Sequence, residues 1–337
     1  MKKALIIALI LLVAGALLVG AGWVLLQKYP VDMNTVKDSV YEYDIGELPT
    51  QINIITTNSR VELRPIEGDK WKVACMDKEN LYHTVELIDG VLTVRQIRTE
   101  SQWSDFIGIL NGFQNLSVIV YLPENVYESL SVHSTSGSIK VQEGLIFSNA
   151  SLQNASGSIL CDSRVVGALN VKNTSGSVKI NGSVVGDLIV KNTSGSVKIN
   201  SSVGGDLIVN NTSGSIDIFG GVTGALEVTN GSGSIEIKNT NPTRATLKST
   251  TGGIDLINVV CRESCTVENT SGSIELEGCD AASFDLCTVS GSIKGSILSG
   301  KVFDCHSTRG DVHTPTNGDG GTFKARSTSG SIKITIK

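Results

Sequence analysis

The chain has 337 residues, 18% of them charged, and a formal net charge of −5, so it carries no bulk attraction for nucleic acid, and a charge-driven partner must recognise a local patch. Aromatic residues are 5% while glycine reaches 36 residues, which disfavours a bulky globular core and fits thin strands joined by tight turns.

The first element in chain order is apolar. Lys2 and Lys3 precede an uncharged run from Ala4 to Leu26. At ~1.5 Å per residue this run spans a ~30 Å hydrocarbon core, whereas a cleavable signal has an apolar region of about 7 to 15 residues. Residues 1–30 are therefore predicted to be an uncleaved transmembrane helix with a short cytoplasmic tip. Two lysines before the run against Lys28 behind it give a single-pass cell-membrane topology, N-terminus cytoplasmic and the remainder extracytoplasmic, with Trp23 and Tyr29 at interfacial positions. A signal peptide removed near Gly20 to Gly22 is the rival reading.

Residues 31–126 read as an N-terminal β region of degenerate coils with a cap. Strand-like segments occur at Gln51 to Ile55, Arg60 to Arg64, Val91 to Ile97 and Leu116 to Leu122, and Thr57 to Leu63 (TNSRVEL) aligns with the TSGSIKI of later repeats. Terminal repeats are expected to be atypical. Between the last two segments, Trp103, Phe106, Ile107 and Leu110 share one face at helical spacing, which predicts a helix covering the solenoid end in preference to one lying on the membrane.

From residue 127 to 337 one phrase recurs, as in STSGSIKV, NTSGSVKI, NTSGSIEL and STSGSIKI. Its eleven central glycines run from Gly137 to Gly330 at spacings of 19 or 20 residues. Such a period marks stacked repeats, and β-branched residues alternating with polar ones make each repeat a coil of strands. Counting from the glycine, positions +2 and +4 point inward, as in Val178 and Ile180; −7 and −5 do the same before the turn, as in Leu188 and Val190; Val165, Val184, Val203 and Val222 supply a third inward point. The fold class is thus all-β, a parallel β-helix or β-solenoid of 19-20-residue coils, right-handed by the usual crossover rule, with eleven coils making a rod of about 50 Å. Position −3 is Asn, Ser or Thr throughout, and Asn154, Asn173, Asn192, Asn211 and Asn230 are expected to bond one another as an amide ladder.

Catalytic signatures are weak. Coil lengths barely vary, which leaves no long loops for a cleft, His83, His133, His306 and His313 are scattered, and no Walker A, HExxH or nonapeptide calcium pattern occurs. The seven cysteines lack CxxC spacing and do not read as a metal motif. Cys161, Cys265 and Cys305 stand at inward positions as small core residues, and Cys261 and Cys279, near adjacent corners, are expected to stay unbridged. Arg309-Gly310-Asp311 occupies an ordinary turn.

Position +3 carries the sharpest candidate site. Asp217, Glu236, Asp255 and Glu275 fall on successive coils and should form an acidic ridge. Like charges ~4.8 Å apart repel by about 0.9 kcal/mol even in a water-like dielectric, so the ridge invites a divalent cation, bound weakly, or a cationic polymer. No other cofactor is expected. Lys172, Lys179, Lys191 and Lys198 on the preceding coils could contact anionic wall polymer or lipid, although the identical stretches Val171 to Asn181 and Val190 to Asn200 explain them equally by duplication. The final strand, SIKITIK, is expected to present an uncapped edge for self-association.

LSVIVYLP at Leu116 to Pro123, YESLSV at Tyr127 to Val132, the TSGSIKV that follows and the upstream VELIDGVLTV at Val85 to Val94 together resemble the bacterial putative-adhesin family of membrane-anchored SGS-repeat solenoids. The resemblance covers most of the chain and implies a membrane segment followed by a right-handed solenoid, with no catalytic residues to carry over. The expected function is a non-enzymatic surface-interaction or envelope-sensing scaffold that meets cell-wall polymer or another envelope protein. A β-helix enzyme acting on envelope polysaccharide and a self-assembling surface scaffold are the alternatives.

Overall fold

The computed structural model describes residues 37–43, 48–68, 70–78, 81–99 and 116–337, with backbone alone at 37–43. The expected anchor at 1–30 and the expected capping helix at Trp103 to Leu110 lie outside these residues. Among the described residues no helix is long and apolar enough to cross a membrane, and every named element is a strand, from β1 (Lys37–Tyr43) to β28 (Ile332–Ile336), numbered in chain order.

One coil explains the middle of the molecule. β15 (Leu188–Ser194) reaches the turn at Gly195, β16 (Val197–Ile199) leaves it, and a corner at Val203 leads to β17 (Leu207–Ser213). Period-two alternation turns Leu188, Val190, Val197 and Ile199 inward, where none exposes any surface. Each such aliphatic contributes roughly 1.5–3 kcal/mol by leaving water. Strands before the turn pair in parallel with their equivalents one coil away, Leu188 on Leu207 and Val190 on Val209, and strands after it do likewise, Val197 on Ile216. Parallel bridges along Val165, Val184, Val203 and Val222 form the third side. The fold expectation therefore holds as an all-β solenoid.

The turn glycine is required twice over. Gly195 has φ +118°, and a Cβ there would lie 2.4 Å from the Gly176 carbonyl oxygen of the adjacent coil. The position −3 side chains are buried in every coil except at Ser307, which is half-buried, but they do not form the expected amide-to-amide ladder. Asn211 Nδ2 donates to the carbonyls of Gly195 and Gly214, and Asn230 Nδ2 to those of Gly214 and Gly233. Turn carbonyls, fixed by the backbone, out-compete a neighbouring amide as acceptors and lash one turn to the next.

Stacking order departs from chain order at both ends. β2 (Gln51–Thr56) lies between β6 (Val91–Arg98) and β8 (Val126–Ser136), and β3 (Arg60–Ile66) between β7 (Ser117–Pro123) and β9 (Ile139–Val141). The stack thus runs unbroken across Val126. Beyond β6 and β7 the end is closed by antiparallel strands: β5 (Leu81–Ile88) on β6, and β4 (Trp71–Asp77) on β7 with β1 outside it.

At the other end β27 (Thr322–Ser329) lies between β23 (Ile274–Ser290) and β25 (Val302–Ser307), and β28 between β24 (Ile293–Ile297) and β26 (Val312–His313). Phe284, Phe323 and Phe303 stack in that spatial order at 5.0 and 5.5 Å. The expected free edge at SIKITIK is therefore corrected: β28 is interior to the stack over Ile332 and Lys333, because the chain returns into a gap left by the preceding coil. The outermost coil is β25 and β26, and its edge is partly covered where Asn317 Oδ1 accepts the Phe303 N–H at 2.9 Å.

Candidate functional site

After each turn the strand is only three residues long in the regular coils, in, out, in, so its outer face is a column one residue wide. Register pairs along this column read Glu62, Lys140, Leu160, Lys179, Lys198, Asp217, Glu236, Asp255, Glu275, Lys294 and Lys333. The four acids expected to form a ridge do stand on consecutive rungs. Lysines relieve part of their charge, Lys238 on Glu236 and Lys294 on Glu275, both at 2.7 Å. Asp217 and Asp255 have no ion pair among the described residues. Burial, then the charges of Glu275 and Glu236, raises the Asp255 carboxyl above its ordinary range. Beside it a shallow groove of about 570 Å³ is lined by Asp255, Glu275, Glu277, Lys294 and Lys333.

The four candidate lysines do not make one patch. Lys179 and Lys198 are neighbours on this column, whereas Lys172 and Lys191 pair on the strands before the turn, around the corner of the coil. The turn that separates −4 from +3 places them on different sides of the rod.

Near the head of the column, one rung in from Ile119, Glu62, 2% exposed, accepts hydrogen bonds from Arg64 at 2.8 Å and Gln142 at 2.6 Å, with Arg60 at 3.4 Å and Lys140 at 3.6 Å. Burial pushes its carboxyl up, but the bonds from Arg64 and Gln142 and the charges of Arg64 and Arg60 outweigh that and hold it at about 2.

A second constellation was not legible in the sequence. Gln96 Oε1 accepts the N–H groups of Thr57 and Asn58 at 2.7 and 3.2 Å, which fixes Gln96 Nε2 as a donor to Ser59 Oγ at 2.8 Å. Ser59 Oγ lies 3.0 Å from His83 Nε2, and His83 Nδ1 lies 2.6 Å from Asp77 Oδ1. The consistent assignment runs Ser59 O–H to Nε2 and Nδ1–H to Asp77. This is the order of a nucleophile, base and orienting acid, but Ser59 is fully buried among the described residues and its oxygen accepts from Gln96 Nε2, so it presents no surface to a substrate carbonyl. Cys75 stands beside the chain, its thiol pushed to about 12 by burial and by the charge of Asp77. The available signal was Cys75-x-Asp77, which puts both residues on one face of β4; His83 and Ser59 arrive from separate segments. Elsewhere Cys161 and Cys265 occupy their inward positions, Cys305 is half-buried, and Cys261 is buried with its thiol unbridged.

A family model described as Toastrack DUF4097 matches residues 50–238 and again 221–337. No curated protein is similar to the chain. Among solved structures, a putative adhesin from Parabacteroides distasonis ATCC 8503 is 14% identical, with 90% of this chain and 98% of that chain covered at a TM-score of 0.34. A putative lipid binding protein from the same organism is 14% identical with the same coverage at 0.32. A putative adhesin from Bacteroides fragilis NCTC 9343 is 15% identical, with 90% and 99% covered, at 0.29.

Proposed function

The chain belongs to the Toastrack DUF4097 family, and from that premise we propose a non-catalytic, extracytoplasmic scaffold, held at the cell membrane by residues 1–30, that engages a cationic envelope polymer or protein through Asp217, Glu236, Asp255 and Glu275. The observation that carries this reading is the in-register acidic run, two of whose carboxylates have no ion pair among the described residues. A rigid parallel ladder sets those charges at ~4.8 Å intervals, a spacing a repeating partner can match. Retention of the chain on cationic, neutral and anionic polymers tests it. Selective retention by the cationic polymer, lost in Asp217→Asn/Asp255→Asn and at high salt, is the expected result; equal retention on all three sinks the reading. Calcium titration separates the divalent version, which silence at millimolar concentration removes.

Self-assembly is supported as a second reading by the column's charge order. Two rods laid antiparallel about a two-fold axis between Lys198 and Asp217 set Lys198 against Asp217, Lys179 against Glu236 and Lys140 against Glu275, which is the self-complementarity an isologous dimer requires.

The enzyme alternative rests on Ser59. A fluorophosphonate probe is expected to leave Ser59 unlabelled, and labelling together with glycan or ester turnover would reverse the ranking.

A further inference from the structure

We propose that Cys75, Asp77 and His83 form a divalent-metal site of the zinc class inside the N-terminal cap, tying β4 to β5. One donor atom of each lies within 4.8 Å of the other two, and all three residues are buried. Thiolate, carboxylate and imidazole together suit Zn2+, whereas calcium and magnesium take oxygen ligands.

Two observations point past the cluster to a ligand. Cys75 is 1% exposed, and its sulfur takes no part in the hydrogen-bonded chain that holds Asp77 and His83, which leaves a metal-ligating atom aimed into the group without a hydrogen-bond partner among the described residues. The His83 ring is also braced from behind, with Nε2 3.0 Å from Ser59 Oγ and Ser59 held in turn by Gln96. A ligating imidazole needs such an outer partner to fix its tautomer and plane.

Proton balance is simple. On binding, the Cys75 thiol gives its proton to solvent, and His83 exchanges its Nδ1 proton for one on Nε2, which Ser59 Oγ accepts. Asp77 turns from that proton to the ion. Each ion releases one proton, and nothing is oxidised. The 2.6 Å contact between Asp77 Oδ1 and His83 Nδ1 opens to about 3.3 Å, the edge of a tetrahedron with ~2.0 Å bonds, and one coordination position is left for solvent.

Cobalt(II) is the probe, added to the full chain after reduction and removal of chelator. One ion per chain is expected, with visible d–d bands and a near-ultraviolet thiolate-to-cobalt band, both displaced by Zn2+. Cys75→Ser should lose the thiolate band and bind at least about tenfold more weakly, a loss of the size seen when a ligand or its outer partner is removed. Absence of cobalt bands in a chain with intact β-sheet circular dichroism overturns the proposal, and so do bands unchanged in Cys75→Ser. If that variant does not fold, proton release decides: about one proton per Zn2+ from a chain carrying Cys287→Ser supports the site, and none overturns it.

Discussion

At the residue scale, the rod depends on backbone conformation and on a few buried charges. Gly214 has φ +120°, and a Cβ on it would sit 2.3 Å from the Gly195 carbonyl, whereas a Cβ on Gly221 meets nothing within 4 Å. Gly214→Ala is therefore expected to destabilise by about 2 kcal/mol or more, and Gly221→Ala to lie near zero, as read by paired denaturant melts. Glu62 adds a pH signature. Its folded value of about 2 is below the ordinary 4.5, so its contribution is present above pH 4.5 and drains away as pH falls toward 2. Glu62→Gln should cost roughly 2 kcal/mol near neutrality, and the gap between variant and wild type should close through that acid window. A gap independent of pH would show that shape, not charge, matters at this position.

At the element scale, the repeat was legible because every coil restates the same in-out pattern around one glycine, and the acidic rungs followed from it. Stacking order was not legible. β27 and β28 read like any other coil, and no local residue says that β27 slips between β23 and β25, and β28 between β24 and β26, instead of ending the rod. The cluster of Ser59, Cys75, Asp77 and His83 escaped for a related reason: it is assembled from segments outside the repeat, where periodicity has nothing to say. The order at the far end makes a prediction. β25 pairs with β27 and β26 with β28, so truncation after Gly321 should release the coil at Val302 to His313 as well as the one deleted. Hydrogen exchange should then show loss of protection in both; protection retained at Val302 to Ser307 would contradict the topology.

At the scale of the whole molecule, antiparallel strands interrupt the parallel ladder at one end, while the sides of the rod carry the complementary column of charge. Lateral antiparallel pairing predicts a weak dimer that salt dissolves, since exposed ion pairs are worth at most about 1 kcal/mol each. Lys179→Glu/Lys198→Glu and Asp217→Lys/Glu236→Lys should each be monomeric in sedimentation, and their mixture should pair again. Failure of the mixture to recover would remove charge register as the cause.

The two inserted coils also bear on how such a chain lengthens. Near each end one segment returns past its neighbour, β2 between β6 and β8 and β27 between β23 and β25. The identical Val171 to Asn181 and Val190 to Asn200 lie well inside both returns. The ends behave as bookends, and the shelf between them is where a tandem duplication extends the rod in increments of ~4.8 Å, moving whatever its far end carries outward by a counted number of rungs.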